Sequence, residues 1–133
     1  MAGKTNTHAD AVLNILRGTA VPAQTPYVGL FSTAPSDDSG SGAVEISAGG
    51  YSRQSVSFSA PTAGTGTYRK ISNSSTITFG QATANWPQAV AFGIWNASTA
   101  GTLLYWANLS TPKTVYNGDY AQFAAGALVV NED

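Results

Sequence analysis

Residues 89–109, AVAFGIWNASTAGTLLYWANL, constrain the fold more than any other part of the chain. Two apolar runs flank the small, turn-forming residues 96–101. In the first run, alternation sets Val90, Phe92 and Ile94 on one face and Ala91, Gly93 and Trp95 on the other. The second divides Leu103, Tyr105, Ala107 and Leu109 from Leu104 and Trp106. A period of two in aromatic and branched residues, broken by turn chemistry, reads as a β-hairpin. A helix across the same stretch is opposed by Gly93 and by the cluster at 96–101. Apolar groups on both faces of each strand imply that both faces are covered, as in the middle of a sandwich. Phe92, Trp95 and Trp106 are therefore expected in or beside the main core.

The rest of the chain supplies partners for that hairpin. Residues 27–31 alternate Tyr27, Gly29 and Phe31 against Val28 and Leu30. Residues 51–58 read as a half-polar strand, with Val56 and Phe58 inward and Arg53 outward. Ile77 and Phe79 mark a further buried face, Trp86 before Pro87 reads as an extended plug, and Leu128, Val129 and Val130 make the last strand. Pro112 gives residues 110–116 the character of an edge, and Asn117-Gly118-Asp119 is a turn leading to Gln122 and Phe123. Residues 36–42 and 61–66 read as loops. Seven or eight short strands between Gly, Pro and Asn turns describe an all-β chain, an antiparallel β-sandwich or jelly roll. No internal repeat and no break in composition divides the 133 residues, so one domain is expected over 1–133, with 1–20 as an N-terminal arm and helix.

That helix is predicted over residues 7–17. Thr7 and Asp10 fit a loose capping box, Ala9, Val12, Leu13 and Leu16 recur at helical spacing with Ile15 beside them, and Gly18 ends the run. A helix this short needs a partner for its apolar stripe. It packs on its own domain or docks elsewhere, and its own domain is the expectation. Residues 1–6 are small and polar and are expected to gain little order from that domain.

Composition removes several function classes. Only 10% of residues are charged and the formal net charge is -1, so neither nucleic acid nor a membrane surface is an expected partner. With no cysteine, thiolate chemistry and disulfide scaffolding are excluded, and folding in a reducing cytoplasm is compatible with the chain. No apolar run reaches the roughly 18 residues of a membrane span, and the first ten residues contain no signal-peptide core.

Candidate chemistry is sparse. His8 is the single histidine, in the first turn of the predicted helix, where a capping or solvent-facing place is expected. The carboxylates are Asp10, Asp37, Asp38, Glu45, Asp119, Glu132 and Asp133, none in an apolar setting that would raise its pKa for general-acid work. A glycosidase pair would require two of them to meet in space. Asp37 and Asp38 lack the spacing and closing Glu of an EF-hand. Gly64-Thr65-Gly66 lacks the context of a phosphate cradle. Tyr68 and Tyr116 could stack on sugar rings or cover a sheet edge. No catalytic, cofactor-binding or metal residue is assigned, no cofactor is expected, and the chain is not expected to be an enzyme.

The order of motifs resembles a family of small virion proteins of tailed bacteriophages, commonly labelled phage tail fibre proteins. The resemblance is carried by the short N-terminal helix, YVGLFSTAP at 27–35, GGYSR at 49–53, ITF at 77–79, Trp86 ahead of FGIW at 92–95, GTLLYW at 101–106, LSTPKTV at 109–115, NGD at 117–119 and FAAGAL at 123–128. Asn96 and the region of Lys113 depart from it, at positions expected on the surface. The resemblance implies a non-enzymatic virion protein assembled in the host cytoplasm, with no catalytic residues to carry over. A fibre needs a shaft, and no heptads or repeats supply one. The leading expectation is therefore a capsid decoration, or cement, protein that binds the major capsid protein and itself, as a trimer or failing that a dimer. The alternative is a tail-fibre or receptor-binding module contacting host surface glycans.

Overall fold

The hairpin at 89–109 forms and lies at the centre of the sheet. The computed structural model describes residues 3–132. In chain order the elements are β1 (Gly3–Lys4), α1 (Asn6–Leu16), β2 (Tyr27–Thr33), β3 (Val44–Glu45), β4 (Gln54–Ser55), β5 (Thr62–Ala63), β6 (Arg69–Ser72), β7 (Ile77–Thr78), β8 (Ala89–Trp95), β9 (Leu103–Lys113), β10 (Gln122–Phe123) and β11 (Val129–Glu132). One antiparallel sheet runs β1-β9-β8-β2-β3, with β4 also paired to β2. Two smaller sheets, β10-β7 and β11-β6-β5, supply the opposing layer. The fold is all-β, antiparallel and sandwich-like, with one short helix.

The main core fills the space between the layers. Val28 and Leu30 of β2 and Phe92 and Ile94 of β8 meet Ile77, Phe79, Leu128 and Val130. The reverse face of the large sheet buries Phe31, Ala91 and Trp106, with Trp95 and Leu103 packed on them. Both faces of β2 and β8 are thus covered, as their unbroken apolar runs require. Trp106 is 1% exposed, but it and Trp95 belong to this second cluster and not to the main core.

Two bulges alter the alternation expected of the hairpin. The register of β8 on β9 shifts between Ala89 and Ala91, and again between Ile94 and Trp95. The first puts Val90 with the Phe31–Trp106 cluster, away from Phe92 and Ile94. The second moves Leu103 to that same cluster, away from Tyr105, Ala107 and Leu109. A bulge inserts an unpaired residue and so exchanges faces, which a strict period of two does not anticipate.

The loop expected at 61–66 is in part strand, because Thr62 and Ala63 pair with Lys70 and Arg69. In the segment at 51–58 only Gln54 and Ser55 join the sheet. The short elements are tied by side chains. Asn73 is 2% exposed; its Nδ2 donates to the carbonyls of Ser75 (2.8 Å) and Ala124 (2.9 Å), and its Oδ1 accepts from Leu128 N (2.9 Å). Trp86 plugs the core and donates its indole N–H to Gly49 O at 2.8 Å.

The N-terminal region departs most from expectation. Gly3 and Lys4 pair with Trp106 and Tyr105 of β9, so the described part of the arm is ordered by its own domain; Met1 and Ala2 lie outside the described residues. Thr5, not Thr7, caps α1: its hydroxyl accepts from His8 N and donates to Leu103 O at 2.6 Å. Its own N–H bonds to Leu104 O at 2.8 Å, which fixes the cap to the sheet. At the other end Gly18 N and Thr19 N return to the carbonyls of Ile15 and Asn14, closing a Schellman motif. The helix leans on β9 through His8, and its apolar stripe points outward: Leu13 is 61% and Leu16 87% exposed.

Candidate functional site

β1 and β11, from opposite ends of the chain, meet beside β9. Lys4 forms an ion pair with Glu132, and Tyr105 donates its hydroxyl to the other carboxylate oxygen at 2.5 Å. The Tyr105 ring in turn meets His8 edge to face, with centroids 5.1 Å apart. Lys4, Tyr105 and Glu132 line a cleft of about 490 Å³, completed by Asn6, Asp38, Tyr68 and Asn131. The Tyr68 ring lies flat on the chain at Gly64, where a Cβ would fall 1.9 Å from a ring carbon. Only glycine permits that approach, and Gly64 N closes the turn by donating to Tyr68 O at 3.0 Å. Gly64 therefore seats an aromatic wall.

The protonation states in the cleft follow from these contacts. Burial works to raise the Glu132 carboxyl, but hydrogen bonds from Lys4 and Tyr105 and the nearby positive charge outweigh it, and its pKa lies below the usual value. Burial, reinforced by the bond to Glu132, pushes the Tyr105 hydroxyl up. His8 is lowered by burial and by the charge of Lys4, against the pull of Glu132. It is half-buried against Tyr105 rather than solvent-facing. The cleft thus presents an ionised carboxylate beside a phenol that keeps its proton, a set of acceptors and donors, with the His8 imidazole behind the Tyr105 ring.

The remaining carboxylates are dispersed. Asp10 is exposed on α1. Asp37 Oδ1 accepts from Ser39 N at 2.8 Å and from the Ser39 hydroxyl, bonds that hold its pKa low within its own loop. Asp38 receives the N–H of Asn6 on its carbonyl, while its buried Oδ1 has no partner among the described residues. Asp119 Oδ2 accepts from Tyr116 N at 3.2 Å, and Asp133 lies outside the described residues. Among the described residues no three His, Asp or Glu side chains gather as a metal site would require. Tyr116 is 58% exposed and stands apart from the Lys4–Glu132 cleft.

A second polar cluster, on the reverse face of the sheet, is one that sequence reasoning missed. Arg53, expected outward, has a side chain only 7% exposed. Its Nη2 and Nε donate to the two oxygens of Glu45 at 2.8 and 2.9 Å, and its Nη1 donates to the carbonyls of Ala97 and Ala100 at 3.0 and 2.7 Å. The guanidinium centre sits 3.7 Å from the centroid of the Trp95 ring. Tyr51 adds a hydrogen bond to Glu45 at 2.6 Å, and burial followed by that bond pushes its hydroxyl far up. Gly29 makes room for the cluster, since a Cβ there would come within 2.7 Å of Glu45 Oε2 and 2.9 Å of the Tyr51 hydroxyl. A bidentate carboxylate, two carbonyls and an aromatic face occupy four of the five guanidinium N–H donors and one ring face, so this cluster fixes the β8–β9 loop and offers a ligand little. The signal lay in GGYSR beside an aromatic strand, but nothing in the spacing named Glu45 as the partner.

A sequence model of the family described as Podophage GP4 fiber I protein gp80 matches residues 3–131, nearly the whole chain. No curated protein matches it.

Proposed function

This chain belongs to the family described as Podophage GP4 fiber I protein gp80, and from that premise we propose that it is a structural component of a phage tail fibre that contacts host surface glycans. It acts by binding and not by catalysis, needs no cofactor, and is assembled in the host cytoplasm, to which a chain without cysteine is suited. The observation that carries the reading is the cleft between β1, β9 and β11. A sugar presents hydroxyls around its rim and an apolar face of C–H groups. The cleft offers the complement: the Tyr68 ring as a wall, with Lys4, Glu132, Asn6 and Asn131 as donors and acceptors around it. Strand pairing on both sides holds these groups in place, which lowers the ordering cost of a ligand.

The family description names a fibre, which favours this reading over a capsid decoration protein bound to the major capsid protein. Its test combines location with adsorption. Gold labelling of a tagged copy should mark the tail of purified virions. Phage carrying Tyr68→Ala should assemble normally but adsorb to host cells roughly two- to tenfold more slowly, the loss of one stacking contact. Label on the head, together with unchanged adsorption by the variant, would overturn the reading.

A further inference from the structure

The outward stripe of α1 has no partner among the described residues of its own chain. Leu16 is 87%, Leu13 61%, Ile15 54% and Val12 36% exposed, although the cap at Thr5 and the Schellman closure fix the helix at both ends. We propose that this face is a self-pairing surface, on which two copies of the chain join through antiparallel α1 helices about a two-fold axis near Leu13. The proposal goes beyond the fibre reading and does not depend on it.

The choice of a second copy rests on charge complementarity. Ala9, Leu13 and Leu16 stand at i, i+4 and i+7, the spacing of a single interhelical seam. Asp10 and Arg17 each follow a seam position by one residue, so both project on the same flank of that seam, and both are exposed. An antiparallel pair brings identical flanks together in reverse order. Asp10 of each copy then faces Arg17 of the other, and the two-fold axis makes the pair twice. A parallel pair, or a parallel three-helix arrangement, would set that flank against the side carrying Val12 and leave both charges without partners. Geometry therefore favours a two-fold pair over the trimer expected from sequence. Arg17 already donates to Asn14 Oδ1 at 2.9 Å, which leaves most of its five N–H donors free for a carboxylate. Opposite that flank Val12 and Ile15 widen the apolar contact.

Two helices of 11 residues cover much less than the roughly 1,600 Å² of a standard interface. The dissociation constant of the isolated chain is thus expected between roughly 10 µM and 1 mM. Sedimentation velocity over that concentration range should show a monomer passing to a dimer. Leu13→Ser with Leu16→Ser should leave a monomer throughout, with an unchanged urea midpoint because both side chains are exposed. Asp10→Arg alone should weaken the dimer at least about tenfold, and Asp10→Arg combined with Arg17→Asp should restore it. A wild-type chain that stays monomeric to 1 mM (roughly the weakest pairing expected), or a dimer indifferent to the leucines, would overturn the proposal and assign the stripe to a different chain. A dimer that needs the leucines but is not rescued by the exchanged charges would overturn the antiparallel arrangement.

Discussion

Replacing Glu45 by Gln tests whether the Arg53 cluster holds the central hairpin loop. The substitution keeps the length and one acceptor oxygen of the side chain but removes the anion bonded to Arg53. Breaking a buried ion pair from one side costs about 3–5 kcal/mol, because the remaining charge is left uncompensated. Here the loss is tempered. Glu45 is 24% exposed, Arg53 keeps the carbonyls of Ala97 and Ala100, and the Trp95 face remains 3.7 Å away. The Tyr51 hydroxyl can still donate to the amide oxygen of Gln. A cost of about 2–3 kcal/mol is therefore expected, which lowers the melting temperature by roughly 8–12 °C for a chain of this size. Urea unfolding followed by tryptophan fluorescence gives the free energy directly. Amide exchange at Thr102, whose N–H is held by Asn96 Oδ1 at 2.7 Å within the same loop, should accelerate well beyond the global change. A cost below 0.5 kcal/mol, about the level of an ordinary surface ion pair, would show that the cluster is an exposed contact in solution and refute the reasoning.

Phe92→Ala removes a ring that meets Phe123 across the two layers at 6.2 Å and should cost about 3–5 kcal/mol; a loss under 1 kcal/mol would place the hairpin outside the core. Asn73→Ala strips three hydrogen bonds from a buried junction and should cost about 2–4 kcal/mol, with the segment near Leu128 exchanging first; no change in its amide protection would refute that role. Stability should also depend on pH from both sides. The folded pKa values of Glu132 and His8 lie below their unfolded ones, so their contributions are complete above pH 6.5 and decline as pH falls, His8 first and Glu132 from about pH 4.5. Those of Tyr51 and Tyr105 lie above 10, so stability falls as pH rises past 10. Melting curves that stay level from about pH 2 to about pH 11 would contradict all four assignments.

The residues best read from sequence are those whose role is set by neighbours a few positions away. Phe92, Ile94, Ile77 and Phe79 announced buried faces through alternation, and each is in the main core. Val90 and Leu103 were misplaced because a bulge is a property of two strands together and leaves no mark on either one. β6 escaped notice because Arg69 and Lys70 break the apolar pattern, and its pairing with β11 arises from residues about sixty positions downstream. The cleft was legible only in fragments. Tyr68 suggested a stacking surface, while Lys4 and Glu132, separated by 128 positions, gave no local sign that they would meet.

The N-terminus shows how a local pattern can be correct and its interpretation still be decided elsewhere. Thr5 and Thr7 are equally good caps by residue type. Thr5 prevails because its backbone and hydroxyl also bond to Leu104 and Leu103 of β9, so one residue serves the helix and the sheet together. That choice fixes the rotation of α1, turning His8 toward Tyr105 and Leu13 and Leu16 toward solvent. The same apolar stripe would have read identically had it been buried. The side chains that would reveal its purpose are therefore the two charges beside it, Asp10 and Arg17. On a two-fold pair of antiparallel α1 helices those opposite charges, seven residues apart on one flank, would meet twice, which a stripe packed on the chain's own sheet would not require.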